Sequence, residues 1–540
     1  MKNLKPTFFI SLLFFTFNAM SQPRFNWQKQ YDAPVVTPGN DTLTSTEVVD
    51  MVSHKGFVYA ATSNWNNPND RFRGQVLVKK SSELDWELDY QTEGRMSRAS
   101  AIKSVVFSFD KMGQPLEVPD TVLFIGLTNH KGWQPEYPGR VAWRNDTSQS
   151  WTIHDLGYTT HHLNRTEVRS IGYYRDKITG ADIVFAGATP APLGIIAGRY
   201  DPDLPQKIEW DIDAEFLPVN FERIIGFAEC NGSFFAATKS RILKRNDGLN
   251  PETRWEELID FLDPEYLEEW GQGIYDLYAR DEDIRSFRTW KDESGKEYLM
   301  FTTFNRIILF DPVTEELSVE LNICDWLNDN TSEQYNYIQS GIIHDLNFDG
   351  KTYQAIGIEA IFDTIFINQN NPAQVFGIDT RGMILLRDAS DAEDITYQLL
   401  HIEAPEYPAD TLTRVRTLVN SPFPDEPDEI YAGGFAPWGN DVQHTGWIYK
   451  GNPAADETAI IHSFANPGIM LYPNPVHEYL YLNLGNNQIP QSIEVLDSQG
   501  QMINRISGRS HLNVQSLLPG NYFLRVTINN SVLTTKFIKL

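Results

Sequence analysis

The stretch IVFAGATP, which begins at Ile183, shows the pattern that decides the fold. It runs from large apolar residues to small ones and ends in a polar turn, as a short strand buried on both faces does. Six further copies are FVYAATSN from Phe57, VLFIGLTN from Val122, SFFAATKS from Ser233, YLMFTTFN from Tyr298, YQAIGIEA from Tyr353 and EIYAGGFA from Glu429. Seven copies in one chain indicate a repeat architecture.

Each copy is one strand of a longer unit. A short apolar strand precedes it, as in VRSIGYY from Val168, and a strand such as RILKRND from Arg241 follows it. A fourth segment carries a tryptophan in the first four units, at Trp86, Trp151, Trp210 and Trp255. Four strands in each of seven units predict an all-β chain with a seven-bladed β-propeller.

The seventh unit, residues 429–452, lacks a clear fourth strand after it. Two segments are candidates: FNWQKQY at residues 25–31 and TAIIHSF at residues 458–464. We favour the N-terminal segment, because its pairing with the last unit closes the ring and removes an exposed sheet edge. The propeller is therefore predicted over residues 22–463.

The composition narrows the possible partners. Asp and Glu number 72 against 45 Lys and Arg, which gives a formal net charge of −27. A field of that sign repels nucleic acid, so none is expected as a partner. The chain has only two cysteines, Cys230 and Cys324. We place them on opposite faces of the propeller and predict that they are not bonded to each other.

Residues 1–21 have the features of a secretory signal peptide. Lys2 and Lys5 precede an apolar run over residues 8–17, and small residues follow it. The run is too short to span a bilayer stably, and no later stretch has spanning length. We therefore expect an exported mature protein that begins at Gln22 and has no transmembrane segment.

The C-terminal residues 464–540 differ from the repeats. Short alternating strands between turns predict a small Ig-like β-sandwich. The opening Tyr-Pro-Asn-Pro at residues 472–475, the Leu-Pro-Gly-Asn-Tyr turn at residues 518–522 and the closing Lys-Phe-Ile-Lys closely resemble the type A C-terminal sorting domain of the Bacteroidetes type IX secretion system. The resemblance implies that the type IX machinery is a partner, and that the protein is released or attached at the cell surface.

The propeller units also resemble BNR (Asp-box) repeats. Asn-Asp or Asp-Pro often stands between the third and fourth strands, as in RNDGLNPETRW at residues 245–255. The regular Asp-box spacing is absent. The resemblance therefore implies a BNR-like propeller without a specific activity.

Long connections between second and third strands carry a candidate binding surface. Trp65, Trp133 and Trp438 occupy equivalent places in units one, two and seven, which adjoin in a closed ring. Indole faces stack on sugar rings, and Asn440 and His444 offer hydrogen bonds to hydroxyl groups. These features predict an extracellular polysaccharide as ligand. The alternative is that each tryptophan packs against its own unit.

A basic residue followed by Ser or Thr recurs in the first strands, at Lys103, Arg169, Arg285 and Arg416. We predict that these four cations share one repeat position and ring the central channel. Arginine pairs bidentately with carboxylate and sulfate groups, so the polysaccharide is expected to be anionic. The alternative is that each cation pairs with an acid of a neighbouring unit.

Histidines suggest a second function, that of a polysaccharide lyase. Such an enzyme needs a base and a cation that neutralises a uronate. The candidate histidines are His130, His154, His161 and His162. No lyase-family motif matches them, so solvated loop histidines and a binding protein are favoured. A protein-interaction propeller at the cell surface is the third function considered.

One segment, DLNFDGKTY at residues 345–353, has the opening of a calcium loop. Asp345, Asn347 and Asp349 supply oxygen ligands at the appropriate spacing, and the segment resembles the calcium loops of FG-GAP propellers. Tyr353 and Ile356 stand where carboxylates are expected. A plain Asp-Gly hairpin is therefore favoured, and any calcium is expected to be structural. No other cofactor is predicted.

Overall fold

The structure is a computed structural model. The chain forms two compact units, residues 1–454 and 455–540. It describes residues 25–64, 73–93, 96–129, 138–157, 166–189, 193–218, 222–261, 263, 284–331, 334–367, 375–390, 395–402, 412, 414–436, 445–453, 470–472, 476, 479–483, 490–496, 502–506, 511–528 and 531–539. The predicted signal peptide lies outside these residues.

The first unit contains seven antiparallel meanders of four strands. Three strands come before meander 1 in the chain: β1 (Phe25–Asp32), β2 (Val35–Val36) and β3 (Thr42–Leu43). Of these, β1 is the fourth strand of meander 7. Meander 1 comprises β4 (Glu47–His54), β5 (Phe57–Ser63), β6 (Gln75–Lys79) and β7 (Glu87–Gln91). Meander 2 comprises β8 (Met96–Phe109), β9 (Pro115–Asn129), β10 (Arg140–Asn145) and β11 (Ser150–Asp155). Meander 3 comprises β12 (Thr166–Arg175), β13 (Asp182–Thr189), β14 (Ile195–Tyr200) and β15 (Ile208–Trp210).

The remaining four meanders follow the same order. Meander 4 comprises β16 (Ile224–Cys230), β17 (Ser233–Thr238), β18 (Arg241–Arg245) and β19 (Trp255–Asp260), with a short 3-10 helix at Pro251–Thr253. Meander 5 comprises β20 (Ser286–Lys291), β21 (Glu297–Thr302), β22 (Arg306–Asp311) and β23 (Glu316–Asn322), and the helix α1 (Ile323–Asn330) follows it. Meander 6 comprises β24 (Tyr335–Phe348), β25 (Lys351–Ile367), β26 (Val375–Asp388) and β27 (Thr396–His401). Meander 7 comprises β28 (Arg414–Asn420), β29 (Ile430–Phe435), β30 (Gly446–Pro453) and β1.

The first strands of the meanders, here called the inner strands, lie beside one another in a closed cycle. β4 neighbours β8, and the series runs through β12, β16, β20, β24 and β28 back to β4. Because the meanders all run in the same order, the inner strands all begin at one end of the ring, which we call the entry end. The predicted all-β class is confirmed, and the closed cycle has the connectivity that the repeats predict for a seven-bladed propeller.

The N-terminal strand closes the cycle. β1 pairs antiparallel with β30, from Phe25 opposite Pro453 to Asp32 opposite Trp447. This is the pairing that the sequence favours. The other candidate for the closing strand, residues 458–464, lies outside the described residues.

The hydrophobic core lies between neighbouring meanders. In the described residues it forms seven clusters, one at each junction of the ring. Tyr431 and Ile448 of meander 7, for example, pack with Val48 and Val58 of meander 1. Apolar burial between sheets therefore holds the ring together.

Small residues in the second strands let neighbouring meanders approach closely. A β-carbon on Gly126 would lie 2.3 Å from the carbonyl oxygen of Val168 in the next meander, and one on Gly357 would lie 2.4 Å from that of Val415. No side chain fits at these distances, so both positions need glycine. This close approach explains the large-to-small pattern of the repeats.

β-Bulges interrupt most inner strands near the entry end. Register shifts occur in β4, β8, β12, β16, β24 and β28. The bulged residues of β12 and β28 are Arg169 and Arg416. A bulge adds an unpaired residue and re-aims its side chain, and it is common beside binding sites.

The second unit contains two antiparallel sheets. Its strands are β31 (Met470–Tyr472), β32 (Tyr479–Asn483), β33 (Ser492–Leu496), β34 (Met502–Ile506), β35 (His511–Asn513), β36 (Gly520–Ile528) and β37 (Ser531–Lys539). One sheet has the order β31-β32-β35 and the other β34-β33-β36-β37. Val476, Leu480, Ile493, Leu524 and Phe537 form its buried core. This arrangement is a small β-sandwich.

Two further expectations concern the whole chain. The two cysteines, both within the described residues, are not joined by a disulfide, as predicted. None of the helices in the described part is long and apolar enough to cross a membrane.

Candidate functional site

An arginine-rich group of side chains lies at the entry end, and we call it the axial cluster. Its members are Arg98, Arg169, Arg223, Arg285, Arg414, Arg416, Glu47, Glu167 and Glu359. All except Glu359 lie directly before an inner strand or within its first four residues, and Glu359 lies on β25. The arginines come from meanders 2, 3, 4, 5 and 7, so they approach the centre of the ring from several directions.

Glu47 joins three meanders in this cluster. Its carboxylate accepts a hydrogen bond of 2.5 Å from Arg98, and both side chains are buried. Arg416 of meander 7 lies 4.0 Å from the same carboxylate. Burial alone would raise the pKa of Glu47, but the surrounding guanidinium groups, Arg98 foremost, hold it below its usual value.

Glu167 is shared in the same way. Arg169 of its own strand donates to it, and the Nε of Arg223 lies 3.0 Å from it. Glu167 is almost fully buried, whereas Arg223 is 29% exposed. One buried carboxylate therefore serves two guanidinium groups.

Arg414 and Arg285 complete the cluster. Arg414 donates to Gln339 at 2.8 Å and to the carbonyl oxygen of Ser340 at 3.0 Å, and it lies 3.4 Å from Glu359. The guanidinium of Arg285 lies over the ring of Phe304, 3.7 Å from its centre. Stacking of this kind stabilises a cation without neutralising it.

The axial cluster is rich in positive groups. Among the described residues it brings six guanidinium groups together with three carboxylates, in a protein of net charge −27. Burial lowers the pKa of Arg169 to about 10 and, together with Arg416, that of Arg414 to about 9. Both groups stay charged at neutral pH, and the direction of these changes shows that their charges are costly where they stand.

Two donors in the cluster also lack hydrogen bonds. The Nε groups of Arg98 and Arg414 are buried and have no hydrogen-bond partner within the described residues. A buried donor without a partner is costly, and such groups often mark a place where a ligand binds. The cluster therefore has both charge and donors available for an anion.

Lys103 differs from the other predicted cations in its position. Arg169 directly precedes the residue that pairs with Gly187 in the second strand. Lys103 lies two residues beyond the partner of Gly126, the equivalent glycine of meander 2. The prediction of a shared repeat position is therefore wrong for Lys103, because the bulged residue of β8 that corresponds to Arg169 is Ser100, and the Lys-Ser pair lies further along the strand.

Lys103 and Asp50 lie further along the inner strands. A carboxylate oxygen of Asp50 accepts hydrogen bonds from the backbone of Met51 at 2.9 Å and from the hydroxyl of Thr417 at 3.2 Å. Burial raises the pKa of Asp50 to about 6. Burial lowers the pKa of Lys103, and the nearby charge of Asp50 partly opposes that change.

A different buried cluster lies between meanders 3 and 4. Arg245 donates two hydrogen bonds to Glu215, at 3.0 and 3.1 Å, and a third to Asp176 at 2.9 Å. Arg254 also donates to Glu215, and Asp247 pairs with Arg245. This Arg245 cluster has two arginines and three acids, so its cations are fully compensated.

A third polar group resembles a catalytic triad. His54 contacts Ser104 at 2.8 Å through Nδ1 and Asp146 at 3.1 Å through Nε2. Asp146, however, also pairs with Lys55 at 2.6 Å and with Arg144 at 2.6 Å. The imidazole is 1% exposed, and burial lowers its pKa. Burial outweighs the stabilisation that Asp146 gives the imidazolium, and this carboxylate is shared with two other cations, so we interpret the series as a structural link between meanders 1 and 2.

Most of the residues predicted for sugar binding or lyase chemistry lie outside the part of the chain that the structure describes. Those outside the described residues are Trp65, Trp133, Trp438, Asn440, His444, His130, His161 and His162. His154 lies on β11, the fourth strand of meander 2, where its ring stacks on Trp210 with centroids 6.1 Å apart. It is therefore separated from the axial cluster.

The calcium-like segment forms the turn between β24 and β25. Asp349 and Gly350 have φ angles of 55° and 68°, as in a two-residue hairpin turn. Asp345 pairs with Arg288, and Asn347 accepts a hydrogen bond of 2.6 Å from Thr352. Among the described residues, no three His, Cys, Asp or Glu side chains are grouped to hold a metal ion. The segment has the conformation of the plain hairpin.

The sequence analysis identified Arg169, Arg285 and Arg416 but missed half of the arginines. The missed arginines are Arg98, Arg223 and Arg414, and the missed acids are Glu47, Glu167 and Glu359. A signal for most of them exists, because a charged residue stands just before the apolar run of several inner strands. It becomes visible only when the strand starts are aligned.

Comparison with known families confirms the identity of the second unit. Residues 470–540 match the family described as the secretion system C-terminal sorting domain. The predicted type IX sorting domain is thus present, and it marks the protein for export to the cell surface or the extracellular space. No curated protein matches the chain.

Several solved structures show distant likeness. PorZ, a surface component of the type IX secretion system of Porphyromonas gingivalis, is 11% identical with a TM-score of 0.20, and the match covers 93% of this chain and 77% of PorZ. The extracellular domain of a hybrid two-component system from B. thetaiotaomicron is 12% identical with a TM-score of 0.23, and 93% and 87% are covered. An α-L-arabinofuranosidase from Fusarium graminearum is 10% identical with a TM-score of 0.35, and 75% and 92% are covered. Scores this low carry no argument about function.

Proposed function

We propose that this exported protein binds an anionic extracellular polysaccharide at the axial cluster. The observation that carries the proposal is a group of arginine side chains at the entry end of a strongly acidic protein, in which the buried Nε groups of Arg98 and Arg414 have no hydrogen-bond partner within the described residues. Buried charged donors without a partner are costly to the folded state. A polyanion would relieve that cost and gain charge-assisted hydrogen bonds.

The ring supports this proposal by its connectivity. The connections from β5 to β6, from β9 to β10 and from β29 to β30 leave the ring at the entry end, because second strands run opposite to inner strands. These connections contain Trp65, Trp133 and Trp438. We include them, with Asn440 and His444, as the proposed sugar-stacking and hydroxyl-binding residues beside the arginines.

The test is a binding measurement on the full mature chain. Heparin and polygalacturonate serve as anionic probes, and dextran serves as the neutral control. We expect the anionic polymers to bind, dextran not to bind, and the affinity to fall as salt is added because salt screens exposed charges. Equal binding of dextran, or no binding of either polyanion, contradicts the proposal.

A matched pair of variants locates the site. Arg223→Gln removes a 29% exposed arginine of the axial cluster, and Arg199→Gln removes a 29% exposed arginine that pairs with Asp211 in meander 3. Loss of a hydrogen bond to a charged group costs about 1.5–3 kcal/mol, so Arg223→Gln should weaken polyanion binding about ten- to hundredfold. Arg199→Gln should leave it unchanged. Equal effects of both changes would place the binding elsewhere.

A further inference from the structure

The opposite end of the ring, which we call the exit end, carries a series of exposed aliphatic side chains. The inner strands and the third strands both end there, so the turns that follow them lie at this end. Each of the first five meanders has one large aliphatic residue in such a turn, and all five are between 46% and 73% exposed. These residues are Leu84, Met112, Ile178, Leu249 and Val313.

We propose that the exit end docks on an anionic phospholipid membrane. The turns of meanders 2, 3 and 4 would enter the headgroup layer. This proposal goes beyond the polyanion site, which lies at the entry end, and the two can be tested separately. Grouped exposed apolar residues mark interaction surfaces, because their hydration is unfavourable unless a partner covers them.

The turns of meanders 2, 3 and 4 form one continuous surface. A β-carbon on Gly113 would lie 2.2 Å from the carbonyl oxygen of Thr179, and one on Gly248 would lie 3.3 Å from a side-chain carbon of Ile178. The backbone amide of Lys177 also donates to Asp247 at 3.0 Å. The exposed aliphatic residues of these three adjoining turns are Met112, Ile178 and Leu249.

The placement of these residues favours a lipid surface over a protein partner. They stand in turns at one end of five consecutive meanders, so a rigid protein would need a separate pocket for each of them. A membrane is broad and deformable, and it accepts several protruding side chains at once. Burial of apolar side chains at the boundary between headgroups and acyl chains then supplies the affinity.

Two cations beside Ile178 provide charge complementarity. Arg175 and Lys177 are exposed, and neither has a carboxylate partner among the described residues. The guanidinium of Arg175 lies 3.2 Å from the ring centre of Phe109 and donates to the carbonyl oxygen of Gly180 at 3.2 Å. Long basic side chains of this kind lay their stems on apolar surface and present the charge to lipid phosphates.

The net charge of the chain limits this attraction to close range. A total of −27 opposes the approach of an anionic surface from a distance. At physiological ionic strength, however, exposed charges more than about 8 Å apart are largely screened, so the residues at the contact decide the binding. The sorting domain marks the protein for the cell surface or the extracellular space, where a lipid surface is accessible.

Binding to vesicles tests the proposal. The full mature chain is sedimented at physiological ionic strength with vesicles of phosphatidylcholine alone, or with an equimolar mixture of phosphatidylcholine and phosphatidylglycerol. We expect binding to the mixed vesicles to be about threefold stronger, because only their surface is anionic. Equal or stronger binding to phosphatidylcholine alone, or no binding to the mixed vesicles, overturns the proposal. Neither result bears on the polyanion site.

Variants of the aliphatic residues locate the contact. Ile178→Ser should weaken binding to the mixed vesicles about three- to tenfold, and the triple variant with Met112→Ser and Leu249→Ser should weaken it more than about tenfold. Val36→Ser is the matched control, because Val36 is 67% exposed in the hairpin after β1, which ends at the entry end. All of these residues are exposed, so melting temperatures should not change. Equal effects of Ile178→Ser and Val36→Ser, or unchanged binding of the triple variant, overturn the proposal.

A second pair of variants tests the charge. Lys177→Gln should reduce the preference for the mixed vesicles and leave binding to phosphatidylcholine alone unchanged. Arg140→Gln removes the same charge from β10, where Arg140 pairs with Asp155, and it should change neither. Equal effects of the two changes overturn the assignment of the anionic contact to the exit end. No vesicle binding, together with a partner protein whose cross-linking the triple variant abolishes, would assign the surface to a protein and overturn the proposal.

Discussion

The Arg245 cluster and the axial cluster are both buried arginine groups of the same ring, but they differ in charge balance. In the Arg245 cluster three acids surround two arginines, and Glu215 alone receives two hydrogen bonds from Arg245. Burial alone would lower the pKa of Arg245, yet its carboxylate partners raise it above its usual value. In the axial cluster the pKa values of Arg98, Arg169 and Arg414 all fall.

The difference separates structural charges from functional ones. A fold that needs buried arginines for stability surrounds them with acids, as the Arg245 cluster shows. In the axial cluster the described carboxylates do not offset the burial of Arg98, Arg169 and Arg414, whose pKa values fall. Groups with strongly changed pKa values tend to gather at functional sites. Four predictions test the comparison.

The largest effect is expected in the balanced cluster. Arg245→Met leaves Glu215 and Asp176 buried without their main cation, so the free energy of unfolding should fall by about 3–5 kcal/mol. Thermal or urea denaturation measures it. Lys80→Met is the control, because Lys80 and Glu87 form an exposed pair whose loss should cost at most about 1 kcal/mol. A loss equally small for Arg245→Met would remove the distinction between the clusters.

The axial cluster should respond in the opposite direction. Arg169→Gln removes one guanidinium whose pKa burial lowers, while Arg223 still pairs with Glu167. We expect the free energy of unfolding to stay the same or to rise by about 0.5–2 kcal/mol at low salt, as happens when a strained functional group is removed. Destabilisation comparable to that of Arg245→Met would show that acids elsewhere in the chain compensate these arginines.

A smaller effect on polyanion affinity is expected when the pH changes. Asp50, whose pKa burial raises to about 6, influences Arg416 and Lys103 and accepts hydrogen bonds from Met51 and Thr417. It is neutral below pH 6 and adds a negative charge near the cluster above it. Polyanion affinity should therefore rise about three- to tenfold as the pH falls from 7 to 5.

Asp50→Asn should flatten that pH dependence and hold the affinity near its low-pH value. The pKa of Glu359 is also raised by burial, so part of the dependence should persist in the variant. A profile identical to that of the unmodified protein would exclude Asp50 as the titrating group.

The smallest effect concerns the hairpin between β24 and β25, which belongs to neither cluster. Asn tolerates the positive φ of 55° at Asp349, so Asp349→Asn should change the free energy of unfolding by less than about 0.5 kcal/mol. Added calcium should leave the melting temperature of both proteins unchanged. A calcium-dependent rise that the variant abolishes would instead support a structural calcium site.

The strands of the ring were predictable because packing imposes a visible pattern. Gly126 and Gly357 stand where a neighbouring meander leaves no space for a side chain, and a glycine, alanine or threonine stands at the equivalent place of the other units. The closing role of β1 followed from the missing fourth strand of the seventh unit and from the preference for the segment that closes the ring. The sorting domain followed from its own motifs, which match the family over residues 470–540.

The candidate site was only partly predictable. Arg169 and Arg416 were found because each is followed by Ser or Thr, but Lys103 was misplaced because β8 has Ser100 at the equivalent bulge and its Lys-Ser pair lies beyond it. Glu47 and Arg98 were missed because they belong to different meanders and lie 51 residues apart in the sequence. The charge balance at a junction between two meanders depends on residues from both of them, so it cannot be read from the sequence of a single strand.

Pairing of β1 with β30 also constrains how the chain folds. The hydroxyl of Thr445 donates to the carbonyl oxygen of Thr46 across 399 residues of sequence. Loop-closure entropy grows only with the logarithm of length, so this closure costs about 3 kcal/mol more than that of a short hairpin. An incomplete chain that stops before β30 leaves β1 without its partner strand and the first meander without its neighbour. The ring thus becomes complete only after nearly the whole first unit has been synthesised. The contacts between β1 and β30 can form only at that stage.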